Sequence, residues 1–391
     1  MGLTGTESAR KQPLRPPSHP RILLVSTAQH IAGAENSLLL LAEHLRGTHH
    51  LRVACPQGSL LEKEVLRRGC PCIGLSASFP GPVQSLPGRL LAIWMATLAV
   101  HNAAEAWRPD IIHANSIYSL VACVPAAIVS GAKLIWHARD LAGGWMVRPC
   151  GWFCQRVIAV SHCVAGWLKA RGVKDSKIEV IHNGLDSRDE KSPASAAEAR
   201  ASRRGGPFVF ANVGQFVPWK RQLHFLAAAA RVRAVGPHAE FWLVGDDLYG
   251  CHAAYRRKLS DFVRGHDLSQ AVVFRGWIED LAGLWREVDC LVHTAQREPF
   301  GRVVIEAMKA GVPVIAVNSC GPAEILDDGR TGILVAPGDM EALAKAMLRI
   351  ATDSGLAERL AHAAREDVEQ RFGAAQTARR VADVYADVLE N

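Results

Sequence analysis

Two glutamates eight positions apart, Glu298 and Glu306, are the residues of this chain best placed by type and spacing to do chemistry. Glu298 precedes Pro299 and so belongs to a loop, whereas Glu306 falls inside a helix predicted to begin near Arg302. The turn Phe300-Gly301-Arg302 between them leaves backbone N–H groups unpaired at a helix N-terminus, which suits an anion. Two glutamates on a surface helix ordinarily form a solvated face. Here Glu306 interrupts the apolar run Val303-Val304-Ile305 and Ala307-Met308, where a carboxylate needs a hydrogen-bonding partner. A pair of sugar hydroxyls would serve. A second strand–turn–helix follows, Val312–Val317 and then Cys320-Gly321-Pro322-Ala323-Glu324, with glycine at the turn and Pro322 expected at the first helical position.

The elements that must position these groups alternate along the whole chain. Short apolar runs such as Ile22–Ser26, Ile111–His113, Lys133–Trp136 and Val157–Val160 read as strands, with longer helical patterns between them. Apolar strands alternating with helices predict a parallel sheet covered on both faces. Residues 186–206 break the pattern with a polar, small-residue stretch closing on Gly205-Gly206-Pro207, after which the alternation restarts at Phe208–Val213. The expected architecture is α/β, two Rossmann-like, doubly wound parallel-sheet domains facing each other across a cleft. The divisions expected are a disordered tail over 1–20, an N-terminal domain over 21–185, a linker over 186–206 and a C-terminal domain over 207–372. A final helix over 373–391 is expected to pack back across the hinge. Open parallel sheets bind ligands at the carboxyl ends of their strands, which makes the cleft the expected site.

Composition narrows the class. At 391 residues with 49% hydrophobic and 21% charged residues, the chain is globular and large enough for two cores. Its longest apolar stretch, Leu90–Val100, is too short to span a bilayer and reads either as a core helix or as part of an amphipathic stretch, Arg89–Trp107. No basic segment followed by an apolar run opens the sequence, so no secretory signal is expected. Ten scattered cysteines, several in apolar runs, predict reduced, buried thiols, so a cytoplasmic protein is expected. The net charge of +7 resides wholly in residues 1–190, where 20 Lys and Arg face 13 Asp and Glu. A positive half beside a neutral one suggests an anionic partner, such as the inner face of a membrane. No interleaving of basic and aromatic residues marks a nucleic-acid surface, so no nucleic-acid partner is expected. No Asp-x-Asp pair or cluster with metal-ligand spacing appears, and neither metal nor other cofactor is expected.

The Glu298/Glu306 pattern, with Phe300-Gly301 inside it and with the AGVPVIA and GPAEI segments after it, closely resembles glycosyltransferase family 4. Other segments are similar to that family in the same order: Ala32-Gly33-Ala34-Glu35, Val160-Ser161, His182-Asn183-Gly184-Leu185-Asp186, Asn212-Val213-Gly214-Gln215 through Lys220, and Gly329–Pro337. The resemblance runs from about residue 21 to the end. It implies a GT-B fold and metal-independent transfer of a sugar, hexosyltransferase type, with the anomeric configuration retained. The sugar would pass from a nucleoside diphosphate donor to a saccharide or lipid-linked acceptor hydroxyl, as in polysaccharide or glycolipid assembly.

The resemblance also implies roles. Lys220 would neutralise the donor diphosphate, Glu298 would orient the transferred sugar, and Glu306 would hold the ribose hydroxyls. Backbone groups around Phe300, Gly301, Arg302 and Val303 would bind sugar and phosphate oxygens. Gly33 would let the backbone approach the ligand, and His137 takes the position of the active-site histidine, with His113 a further candidate. Gln215 stands where the family usually carries arginine, removing one positive charge from the donor site; Arg221 and Arg302 are candidates to replace it. Two other classes stay open, although an epimerase shares only the two-domain architecture and would not need the Glu298/Glu306 arrangement. A non-catalytic sugar-nucleotide-binding protein would bind without turnover, and a sugar-nucleotide epimerase would convert donor without acceptor. A nicotinamide dehydrogenase would need a Gly-x-Gly-x-x-Gly after the first strand, where Ser26–Gly33 reads STAQHIAG.

Overall fold

The computed structural model describes residues 20–77, 86–186, 205–236, 238–278 and 281–390, so the expected tail and most of the expected linker lie outside the described residues. Seven strands form the first sheet: β1 (Arg21–Val25), β2 (His50–Pro56), β3 (Cys72–Leu75), β4 (Ile111–Ala114), β5 (Lys133–Ala138), β6 (Arg156–Ala159) and β7 (Ile178–Val180). Their order is β3-β2-β1-β4-β5-β6-β7, with every pairing parallel. Six more form the second sheet: β8 (Phe208–Val213), β9 (Ala239–Val244), β10 (Val272–Gly276), β11 (Cys290–His293), β12 (Val314–Val317) and β13 (Ile333–Val335). These run β10-β9-β8-β11-β12-β13, again all parallel.

Helices cover both faces of each sheet, which is why the central strands are apolar at nearly every position rather than alternating. Strand order reverses between β1 and β4 and again between β8 and β11. At such a switch point the loops diverge to opposite faces and leave a crevice at the carboxyl ends of the strands. Two such crevices exist here, one per sheet. β3 has no counterpart in the sequence reading, because a four-residue edge strand with Gly74 inside it carries almost no pattern.

The last helix, Ala374–Glu390, buries Val381, Val384, Tyr385 and Val388 in the same core as Ile22, Leu24, Leu38 and Leu41 of the first sheet's layer. The chain therefore crosses between domains twice. The crossings are stitched where the Leu185 N–H donates to Phe372 O at 2.8 Å and the Ala374 N–H donates to Leu185 O at 2.9 Å.

Three expectations need correction. Cys163 and Cys320 form a disulfide, with Cα atoms 5.1 Å apart and a sequence separation of 157, while the other eight cysteines are free. The two half-cystines sit on different domains, so only docking brings them together. Pro322 is the third residue of the helix Cys320–Ile325, not its first, because Ser319 is the N-cap. The helix Leu86–Trp107 is neither amphipathic nor a plain core helix: Ala96, Ala99, Ala103 and Ala104 are buried while Leu90, Leu91, Trp94, Met95 and Leu98 are exposed. Small residues let it pack closely on Ile117–Ser130, and its large residues face outward. Among the described residues no helix is long and apolar enough to cross a membrane.

Candidate active site

The second sheet's switch point supplies one wall of the cleft. From the end of β8 the chain turns through Gln215 to Lys220, and from the end of β11 it runs from His293 to Glu298. Asn212 ties the two together, donating to Val292 O at 2.7 Å and to Thr294 Oγ1 at 3.0 Å, and Thr294 Oγ1 donates to Lys220 O at 3.0 Å. Lys220 Nζ is thereby held 2.5 Å from Glu298 Oε2, a direct ion pair with both side chains largely buried. His293 Nε2 lies 3.4 Å from the same oxygen. Burial would raise the Glu298 carboxyl, but Lys220 and then His293 reverse that and hold it down at about 2. His293 itself is lowered by burial, against the pull of Glu298.

Two glycines shape the next turn. Gly301 has φ 100° as N-cap of the helix Arg302–Lys309, a left-handed conformation that frees that helix's first N–H groups toward the cleft. At Gly321 a Cβ would stand 2.1 Å from the carbonyl oxygen of Phe300, so only glycine lets the two strand–turn–helix units touch. The Gly321 N–H donates to Glu298 O at 3.0 Å and fixes that loop.

The first sheet's switch point supplies the opposite wall, and its proton positions can be assigned by elimination. Arg139 Nη2 lies 3.2 Å from His137 Nδ1, and a guanidinium only donates, so that nitrogen accepts. His113 Nε2 is 3.3 Å from the same Nδ1 and must therefore carry a proton. Burial, followed by Arg139, pushes His113 down to about 3 and His137 well below its ordinary value, so both rings are neutral. His113 Nδ1 is then an acceptor, and Tyr385 Oη, 2.7 Å away, donates to it. The remaining proton of His137 sits on Nε2, which is buried without a hydrogen-bond partner. His137 thus accepts at Nδ1 and keeps an unengaged Nε2–H. Arg139 also donates to Asn115 Oδ1 and Asn183 Oδ1, each at 2.6 Å, and burial lowers it to about 9 despite the opposing pull of Glu35.

The residues singled out from sequence distribute unevenly over this frame. Lys220 and Glu298 come together, with Gly301, Arg302 and Val303 opening the helix beside them. Glu306 pairs with Arg302 at 3.2 Å on that helix. Arg302 spans the cleft, donating from Nη1 to Ser37 Oγ at 2.9 Å and to Gly184 O at 3.2 Å. Gly33 faces it, and a Cβ there would meet Arg302 Cδ at 3.3 Å. Gln215 is half-buried at the end of β8, its carbonyl accepting from Gln222 Nε2 at 2.8 Å. Arg221 is exposed in a left-handed conformation and lines a separate recess with His224, His252 and Lys258, so it does not replace the missing charge beside Lys220. Phe300 buries its ring against His182 and Phe372 at the domain seam, leaving only its backbone for a ligand.

Sequence reasoning did not single out His293, Arg139 or Tyr385 for the site. His293 and Arg139 lie at or just past the ends of β11 and β5, a position that could have drawn attention to them. Tyr385 carries no such signal.

Comparison with known proteins covers both domains. The glycosyltransferase family 4 model matches residues 31–189, and that of glycosyl transferases group 1 matches residues 195–367. A glycogen synthase of Mycobacterium tuberculosis is 27% identical over 302 residues, covering 72% of this chain and 69% of its own. An alpha-maltose-1-phosphate synthase of the same organism is 27% identical over 382 residues, covering 88% of this chain and 95% of its own. Among solved structures, Anabaena HepE in complex with UDP and glucose superposes with a TM-score of 0.82 at 26% identity, over 94% of this chain and 100% of that one. One family thus matches each wall of the cleft, and the chain belongs to glycosyltransferase family 4, the nucleotide-sugar-dependent glycosyltransferases of GT-B fold.

Proposed function

We propose that this glycosyltransferase moves a hexose from a uridine diphosphate sugar to a hydroxyl of a saccharide or lipid-linked acceptor, with retention and without a divalent ion in the donor site. The observation that carries the reading is the buried Lys220–Glu298 pair at the second switch point, beside the open N-terminus of Arg302–Lys309. A donor entering there would take Lys220 for its diphosphate, where negative charge grows as the bond to the sugar breaks. Glu298, released but still ionised, would accept hydrogen bonds from the sugar hydroxyls, and Glu306 would accept from the ribose. The Nε2–H of His137, which has no partner in the protein, would donate to the sugar from the opposite wall. Arg302, already reaching Ser37 and Gly184, would keep the walls together and exclude water that would hydrolyse the donor. Support for uridine and glucose comes from the HepE structure in complex with UDP-glucose, 25% identical to this chain.

The acceptor side belongs to the N-terminal domain. Its exposed Leu90, Leu91, Trp94, Met95 and Leu98, with Trp152 beneath the Arg148 guanidinium, support an enzyme resting on the anionic inner face of a membrane.

The test is a thermal-shift panel of UDP, GDP, ADP and their sugar conjugates in EDTA, followed by NMR of the anomeric proton of the transfer product. A selective rise with UDP and UDP-glucose and an α-linked product are expected. No stabilisation by any nucleotide would overturn the donor site, and an inverted product would overturn retention.

A further inference from the structure

A second cluster of metal-ligating side chains lies at the seam between the domains, built from three separate segments. His162 is the first residue of the helix His162–Lys169, His182 follows β7, and Glu324 lies in the helix Cys320–Ile325. One ligand atom from each lies within 4.8 Å of the other two.

The cluster is preorganised. Glu324 accepts from the His162 N–H at 2.8 Å and the Cys163 N–H at 2.7 Å, which fixes its carboxylate. The Cys163–Cys320 disulfide ties together the same two helices. The His182 ring is held between Phe300 and Phe372, with centroids 5.7 and 5.8 Å away. Its Nε2 is buried 3.5 Å from Glu324 Oε2, within ion-pair reach but outside hydrogen-bond geometry, and has no hydrogen-bond partner elsewhere. A buried ring nitrogen without a partner is uncommon and calls for an explanation.

We propose that His162, His182 and Glu324 form a binding site for a divalent cation of the zinc class that clamps the two domains together. Two imidazoles and one carboxylate suit zinc and not magnesium or calcium, which prefer all-oxygen sets. Tetrahedral zinc with bonds of about 2.1 Å places neighbouring ligand atoms about 3.4 Å apart. His182 and Glu324 are already at that spacing, and His162, exposed at the helix start, closes the remainder by side-chain rotation. Water takes the fourth position. Because the ligands come from both domains, the cation binds only the docked arrangement and stabilises it. Ser161, next to His162, donates to Pro299 O at 2.6 Å, so the clamp adjoins the loop that carries Glu298. The proposal does not depend on the sugar-transfer reading.

The full chain, kept free of reductant and stripped of metal by a chelator and dialysis, is titrated with zinc against a chromophoric chelator and followed by thermal shift. One equivalent of zinc and a rise in Tm are expected, with magnesium and calcium giving no rise. His162→Ala, at an exposed position, should leave the metal-free Tm unchanged and weaken zinc binding at least tenfold; His182→Ala should do the same to zinc binding. Absence of zinc binding by the parent overturns the proposal. So does equal binding by the parent and His162→Ala, which would assign the metal to the free thiols.

Discussion

Tyr385→Phe removes one hydroxyl, 272 positions from the histidine it serves, and leaves the packing of its ring in place. The buried Nδ1 of His113 then loses its only donor. Moving the proton of His113 onto Nδ1 gives no relief, because Nε2 would then face His137 Nδ1, which already accepts from Arg139. The variant must therefore carry an unsatisfied buried acceptor, at a cost of about 1–3 kcal/mol. For a domain of this size that lowers Tm by roughly 3–10 °C. The kcat/KM for transfer should fall as His137 loses its support, while the affinity for free UDP, bound on the other wall, stays unchanged.

Histidine side-chain 15N spectra supply an independent readout. In the parent, both His113 and His137 should show the neutral Nε2–H form from pH 8 down to 5. The sign follows from the depressed values. Both rings stay neutral in the fold while the unfolded chain takes up protons below about 6.5. The stability due to His113 is thus complete above that pH and is lost as pH falls toward about 3. An imidazolium or an Nδ1–H form at His137 in the parent, or an unchanged Tm in Tyr385→Phe, would refute the proton assignment.

Two further outcomes follow from the geometry. In Lys220→Ala, burial acts on Glu298 with only His293 to oppose it, so the carboxyl rises from about 2 by one or more pH units and the acid limb of the kcat/KM profile moves up with it. The parent keeps this contribution to stability above the unfolded carboxyl range and loses it only as pH falls through about 2. An unmoved acid limb would separate Lys220 from Glu298. Alkylation of the denatured, unreduced chain should label eight cysteines, and all ten after reduction; ten adducts without reduction would remove the Cys163–Cys320 link. Reducing that link, which closes a loop of 157 positions, should lower stability by at most about 5 kcal/mol.

The sequence by itself determined the local units. Apolar runs alternating with helical periods specify parallel strands under helices, because a strand buried on both faces must be apolar throughout. The segment from Arg297 to Leu326 carries Glu298, Glu306 and two bare helix starts in contiguous residues, so it was legible without a structure. What local pattern cannot encode is which strand lies beside which, and every surprise in the site comes from that. Lys220 and Glu298 are 78 positions apart and meet only because β8 and β11 are neighbours. Arg221 follows Lys220 directly yet faces a different recess, since its left-handed backbone turns the chain away. Arg302 was a candidate for the diphosphate from its place at a helix start, and domain docking instead directs it to Ser37 and Gly184. The same docking joins Cys163 to Cys320 and brings Tyr385 under the two histidines. Periodicity specifies which faces are apolar; only the packing of those faces decides which polar groups are left opposite one another.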